Sequence, residues 1–348
     1  MKKLDFNMYK SLLVNHFRTN LENFAKTVNN KEVYAVVLDS HATYGTVNMR
    51  WNTVYDFEKR VEKFYGSYTE DRLNGFSGVK YSVGDFYYED SIQPNEIKTF
   101  GLSYDETITN YFDSEDDHSL NELMEKFINV LVEILDELKT TLSLLNKTDN
   151  FIAYIVEHDE DVDKYIKRTV TIEEYYRAFP EIKEYDHYLE IIYSLPKEKQ
   201  VIHWCGLLSD FLSERDTEEV RLFKQMYRTE FDVEGELVKL GSIAADNVVN
   251  LFEVYSGYIP TGNGTIIQST ENTRWTFLSI LIEIKSAEEG TIERLKNILI
   301  RKYEIDNEMR ECVNIARTLH ALDSSRFPEE EHDKGRLRLL NLHEYKAN

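Results

Sequence analysis

The stretch "HSLNELMEKFINVLVEILDELKTTLSLL" (118–145) limits the possible folds of this chain more than any other. Leu120, Leu123, Phe127, Val130, Leu131, Ile134, Leu138, Leu142 and Leu145 recur at helical spacing and form one continuous apolar stripe. A stripe of that kind needs a second layer to cover it. Ser119 with Glu122 three residues later has the form of a capping box, so the spacing predicts a helix starting at Ser119. Acidic residues just before it and in its first turn suit the positive end of the helix dipole.

Strand signals lie on either side of this helix. In "YAVVLDSHATYGTVNMRW" (34–51), Val36, Val37 and Leu38 form an apolar run, and Val47, Met49 and Trp51 alternate with Thr46, Asn48 and Arg50. That period predicts two antiparallel strands, roughly 33–40 and 44–51, joined by a short turn. "NFIAYIVEH" (150–158) reads as a further strand, buried on both faces at its centre. "GVKYSVGDFYYED" (78–90) is aromatic and strand-like, with a turn or bulge at Gly84 and Asp85. Helices are predicted over 6–29 and 54–65. The expectation is an α+β domain over 1–180, with a mainly antiparallel sheet and segregated helices.

Strand signals stop near 180. Helical patterns occupy about 184–194, 198–213, 216–228, 236–256, 272–286, 289–303 and 306–322, which predicts an all-α domain over 181–348. Short helices joined by short turns suggest stacked helix pairs of HEAT-like form, with an irregular bundle as the alternative. No residue-level self-similarity at a fixed period accompanies them.

Charge narrows the function. The 348 residues carry 63 acidic and 41 basic side chains, a formal net charge of −22. Such a balance argues against nucleic acid and against an anionic membrane surface as partners, because both need a basic face. It permits a basic protein. Residues 105–174 alone hold 19 Asp or Glu against 6 Lys or Arg, so this fifth of the chain carries −13 of the total. The run is either a solvated face or an acidic docking surface, and Asp113, Glu115, Asp116, Asp117, Asp159, Glu160 and Asp161 are the candidate partner-binding residues.

No sequence motif points to catalysis. Asp39, Ser40 and His41 are the three side chains of a serine hydrolase, but neighbours on an extended chain point to opposite faces. Asp39 and His41 then share one face, Ser40 takes the other, and no G-x-S-x-G elbow surrounds it. The expectation is three polar residues where a strand meets water, with Ser40→Ala nearly neutral. The calcium-loop form of "DEDVD" fails at Lys164 and Val170, where Gly and Glu are required, and "DSEDDH" (113–118) fails at His118 and Met124. "GYIPTGNGT" lacks the Lys–Ser/Thr of a phosphate loop. The nine histidines form no zincin motif, and His203 beside Trp204 and Cys205 reads as part of a buried helix. Cys205 and Cys312 are isolated and read as reduced core thiols. With no apolar leader and no run of membrane-spanning length, the chain is expected to be soluble and cytoplasmic, without cofactor or metal. One hidden site stays open: Glu157 and His158 at a strand end could meet Asp39 or His41 across the sheet.

The succession of a helix, "VYAVVLDSHATYGTVNMRWNT", "YSVGDFYYED" and a long helix running into "NFIAYIVEHDED" resembles an uncharacterised bacterial family. That family is defined as a domain of unknown function and is found near polymorphic-toxin and contact-dependent competition loci. The resemblance covers roughly 5–180 and carries over no catalytic residue. It implies an immunity-like or accessory role, in which carboxylates are presented to a basic toxin and block it by occlusion. Two alternatives remain from the residues themselves: an enzyme whose site is assembled from Asp39, His41 and His158, and a scaffold whose helical half does the binding.

Overall fold

The computed structural model describes residues 4–90, 93–158, 162–260, 269–305 and 309–327. The chain divides into two compact units, 1–184 and 185–348. Asp159, Glu160 and Asp161, and most of the 257–265 loop, lie outside the described residues.

The first unit opens with α1 (Phe6–Ala25), started by Asp5, whose side chain accepts the N–H of Met8. Its buried face carries Tyr9, Leu13, Phe17 and Leu21 at the expected spacing. Strands β1 (Val33–His41) and β2 (Thr46–Thr53) pair antiparallel, with Leu38 opposite Met49 and Ser40 opposite Val47. Their turn needs glycine at position 45, where φ is +61° and a Cβ would sit 2.4 Å from Tyr104 Cδ1. Thr53 caps α2 (Val54–Arg60), which runs on into one π-helical turn over Val61–Tyr65. After α3 (Glu70–Leu73) the chain departs from the expected strand over 78–90. It makes two 3-10 turns, Val79–Tyr81 and Val83–Asp85, and only then a two-residue β3 (Tyr88–Glu89) against β2. Tyr81 and Phe86 are buried all the same. Aromatic composition reports burial, which the turns satisfy as well as a strand would.

Next comes α4 (Asn95–Asp113), a 19-residue helix that the sequence reading missed. Then α5 (Asp117–Glu137) begins two residues before the expected capping box, because Asp116 is the N-cap and accepts the N–H of Ser119. A short α6 (Lys139–Leu142) precedes β4 (Lys147–Glu157), α7 (Val162–Ile166) and α8 (Ile172–Ala178) follow, and α9 (Pro180–Tyr193) carries the chain across the boundary into the second unit. The sheet order is β3-β2-β1-β4. Two of its three pairings are antiparallel, but β4 runs parallel to β1, so the sheet is mixed. The helical stretch between β2 and β4 is what permits this, since a parallel neighbour requires a long crossover.

The parallel pair explains why β1 is apolar almost without alternation: it is central and covered on both faces. Val36, Leu38 and Met49 join the side chains of α1, α4 and α5 in one cluster. Tyr34, Val37, Tyr154 and Val156 join Tyr81, Tyr175 and Phe179 in another.

The second unit holds α10 (Lys197–Leu212), α11 (Glu218–Gln225), α12 (Glu230–Leu240), α13 (Ser242–Tyr255), α14 (Glu271–Ile284), α15 (Glu289–Ile305) and α16 (Met309–Leu322). The single helix expected over 236–256 is two helices, parted at Gly241, where φ is +63°. Helices α10, α12, α14 and α16 pack in succession along one row, and α13 packs on α15 beside it. Alternate helices in contact are what stacked helix pairs produce. One continuous cluster around Trp204, Phe223, Phe252 and Phe277 forms its core. Cys205 and Cys312 are both buried and form no disulfide, and burial pushes the Cys205 thiol up to about 12. No helix among the described residues is long and apolar enough to cross a membrane.

Candidate functional site

The parallel pairing of β1 and β4 gathers polar side chains at the carboxyl ends of both strands. Asp39 lies beside Val156, and Ser40 beside Glu157. In open sheets with parallel strands this is the end where ligands bind.

On one face, Glu157 is 3 % exposed and its carboxylate organises the strand ends. It accepts the Ser40 hydroxyl at 2.6 Å and the N–H of Ala42 at 2.9 and 3.0 Å. The Ser40 hydroxyl also lies 3.0 Å from the carbonyl of Val156. Ser40 is fully buried and Asp39 is 4 % exposed, which corrects the expectation of residues meeting water at the strand end. The correction arises because β4 covers that end, a tertiary event with no local sequence signal.

On the other face, Asp39 sits between two cations or potential cations. Arg50 Nε is 3.0 Å from Oδ2, close but not aligned as a hydrogen bond, and Arg50 Nη1 reaches Glu89 at 3.2 Å. His158 Nδ1 is 3.4 Å from Asp39 Oδ1. The His158 backbone N–H donates to the Ser40 carbonyl at 2.9 Å, which fixes where its side chain emerges. The His41 and His158 rings lie 4.2 Å apart at 32°. His41 Nδ1 is buried and has no hydrogen-bond partner, whereas the His158 side chain is more than half exposed. A cleft of about 390 Å³ opens beside them, lined by Asp39, His158 and the 3-10 turns around Tyr81, Ser82 and Gly84.

Thus the structure brings Asp39, His41 and His158 together. An imidazole held by a carboxylate can take and give a proton. Ser40 does not complete a hydrolase triad with them, since it lies on the opposite face and donates to Glu157. Among the described residues no group of three or more His, Cys, Asp or Glu side chains could hold a metal ion. Arg50 had escaped the sequence reading; alternation placed it on a strand face, but only the register shows that it faces Asp39.

The acidic candidates occupy a different place. Asp113 ends α4, Glu115 takes a left-handed conformation with φ at 55°, Asp116 caps α5 and Asp117 starts it. Ser119, through its hydroxyl and then its N–H, holds the Asp116 carboxyl below its ordinary value. Asp113, Glu115 and Asp117 are exposed, and among the described residues no Lys or Arg pairs with them. Beside them Phe112 is 54 % exposed, and Leu102, on the same helix, 72 %.

Comparison with protein-family models, with curated proteins and with solved structures finds no match for this chain.

Proposed function

We propose that the chain is a protein-binding module that docks a basic protein partner and acts by occlusion, in the manner of an immunity-type inhibitor. The observation that carries this reading is the corner where α4 meets α5: an exposed Phe112 amid the unpaired carboxylates of Asp113, Glu115 and Asp117. An aromatic anchor ringed by charge is the anatomy of an interface hot spot. The carboxylates would steer a cationic partner, and the ring would hold it. The resemblance to a family found at toxin loci supports a basic toxin as that partner.

The test starts with capture of the partner from native cell extract and its identification by mass spectrometry, followed by binding kinetics. Phe112→Ala is expected to speed dissociation about tenfold or more. Asp113→Lys, Glu115→Lys and Asp117→Lys together should slow association and flatten its salt dependence, leaving the Asp116 cap intact. A partner that binds all these variants like the parent protein rules the corner out.

A second reading has one observation in its favour, the His158–Asp39 pair at the mouth of the cleft. It predicts acid–base chemistry on a small molecule. Any activity found in a substrate screen must then fall about 100-fold or more in His158→Ala, the scale of a lost general base. Activity that survives this substitution excludes the reading.

A further inference from the structure

A further cavity of the first unit lies away from both places, along the outer edge of β4. It is a groove of about 720 Å³ between the end of α5 and α6 on one side and the start of α8 on the other. That volume suits a small molecule. Its floor includes Leu135, Leu142, Phe151 and Ile152.

The charges in the groove are unevenly matched. Lys10 pairs with Glu133 and Glu137, Lys139 with Asp136, and Arg168 with Glu125. Among the described residues two groove cations are in no ion pair, Lys147 at the start of β4 and Arg177 near the end of α8, and the Asp149 carboxylate that also lines the groove pairs with neither. Glu174, the nearest acid on α8, is occupied as the third residue of a capping box, accepting the N–H of Thr171 at 2.9 Å. Lys147 Nζ sits 4.5 Å over the Phe151 ring. Although Lys147 as a residue stays exposed, crowding by groove atoms, and next the Arg177 charge, holds its ammonium below the ordinary lysine value; Glu174 opposes this weakly. The Thr148 hydroxyl beside it is buried and has no partner. Lys147 and Arg177 thus line one groove near enough for the one charge to act on the other, with the Phe151 ring under Lys147 and the unpartnered Thr148 hydroxyl in the same wall.

An extended peptide adding to the strand edge is the competing occupant. The backbone disfavours it. Val33 pairs with Lys147 but Ala35 pairs with Ile152, so β4 bulges over the intervening residues. A bulge breaks the regular edge that strand addition uses.

We infer that this groove is a binding site for a small amphipathic anion, with a carboxylate or phosphate group held by Lys147 and Arg177 and an apolar body lying on Phe151, Leu135 and Leu142. Thr148 would donate its hydroxyl to the same group. This is independent of the protein-binding corner on α4 and α5.

The test is calorimetric titration of the full chain with 4-phenylbutyrate, 4-phenylbutyl phosphate, the neutral 4-phenylbutanol and the cationic 4-phenylbutylamine. The two anions should bind and the neutral and cationic analogues should bind at least tenfold more weakly, the ratio of the anions telling carboxylate from phosphate. Lys147→Met and Arg177→Met should each weaken the preferred anion about tenfold. Lys147→Arg should largely restore it, and thermal unfolding checks that each variant is folded. Equal binding of the neutral alcohol, unchanged anion binding in the Met variants, or no anion binding at millimolar concentration would overturn the site. So would binding of an acidic extended pentapeptide in place of the anions, which would mean strand addition.

Discussion

The two units satisfy their buried carboxylates in different ways. In the sheet unit they accept hydroxyls and backbone N–H groups at strand ends and turns: Glu157 takes the Ser40 hydroxyl and the Ala42 N–H, Asp90 the Met49 N–H and Glu181 the Phe76 N–H. In the helical unit they pair with cations between packed helices. Glu311, 3 % exposed, accepts both Arg274 Nε and Nη2 at 3.0 Å and also pairs with Lys302. Glu236 accepts Tyr193 Oη and Lys239 Nζ, each at 2.6 Å. A carboxylate at a strand end meets backbone N–H groups that the ladder leaves unpaired. Helices packed on several sides bury wide faces, and a charge caught there must be paired. The difference teaches where to look: buried carboxylates hold the fold in both units, and the charges free to meet a partner are those outside such networks, as with Asp113, Glu115 and Asp117.

The strongest way to break this comparison is Glu311→Ala. It removes the carboxylate that Arg274 and Lys302 share, and should destabilise the second unit by about 3–5 kcal/mol. Urea unfolding measures it, and a loss under about 1 kcal/mol would mean that the cluster is effectively solvated. In the first unit, Glu157→Ala deprives the Ala42 N–H of its acceptor and leaves the Ser40 hydroxyl only the Val156 carbonyl. The expected cost is about 2–3 kcal/mol, with Glu157→Gln recovering part of it; a neutral outcome would show that the strand ends are held by pairing alone.

A third variant sharpens the contrast through pH. Burial, and then Glu230 and Glu283, push the Glu234 carboxyl up to about 7. Its value in the unfolded chain is about 4.3, so between those pH values the folded state holds a proton that the unfolded state has released. Stability from this group is therefore present at low pH and is lost as pH rises towards 7. Allowing for solvent screening, Glu234→Gln should stabilise by about 1–2 kcal/mol at pH 8 and change little near pH 4. Thermal unfolding at the two pH values checks it, and an equal effect at both would deny the titration. The smallest effect belongs to His158→Ala. With its side chain open to solvent, it should shift stability by no more than about 0.5 kcal/mol. A larger loss would make His158 a structural residue and remove the reason to treat the sheet end as a site.

Much of the fold was legible locally. The stripe from Leu120 to Leu142 gave α5, alternation gave β1 and β2, and the end of strand patterns near 180 gave an all-helical remainder. Even the parity that separates Ser40 from Asp39 and His41 follows from the strand period. Where reading failed, a second signal obscured the first. In α4, Ile97, Phe100, Tyr104 and Ile108 do mark one face, but Gly101 and several threonines depress helix propensity within it. At Gly101 an added Cβ would lie at ordinary contact distance, 3.5 Å from the Gly45 carbonyl, so packing on the β1–β2 turn does not demand glycine there.

What the sequence determined by itself is whatever depends on neighbours a few residues apart: helix faces, strand parity, caps and the distribution of charge. Only the tertiary structure decided that β4 lies parallel to β1. That one pairing covers Ser40, brings His158 to Asp39 across 119 positions of chain and leaves a bulged edge in whose groove Lys147 and Arg177 both stand. Hydrophobic patterning specifies which faces must be buried, but several partners can bury them equally well. The choice among those partners is made by long-range packing, and the chemistry of the strand ends is set by that choice.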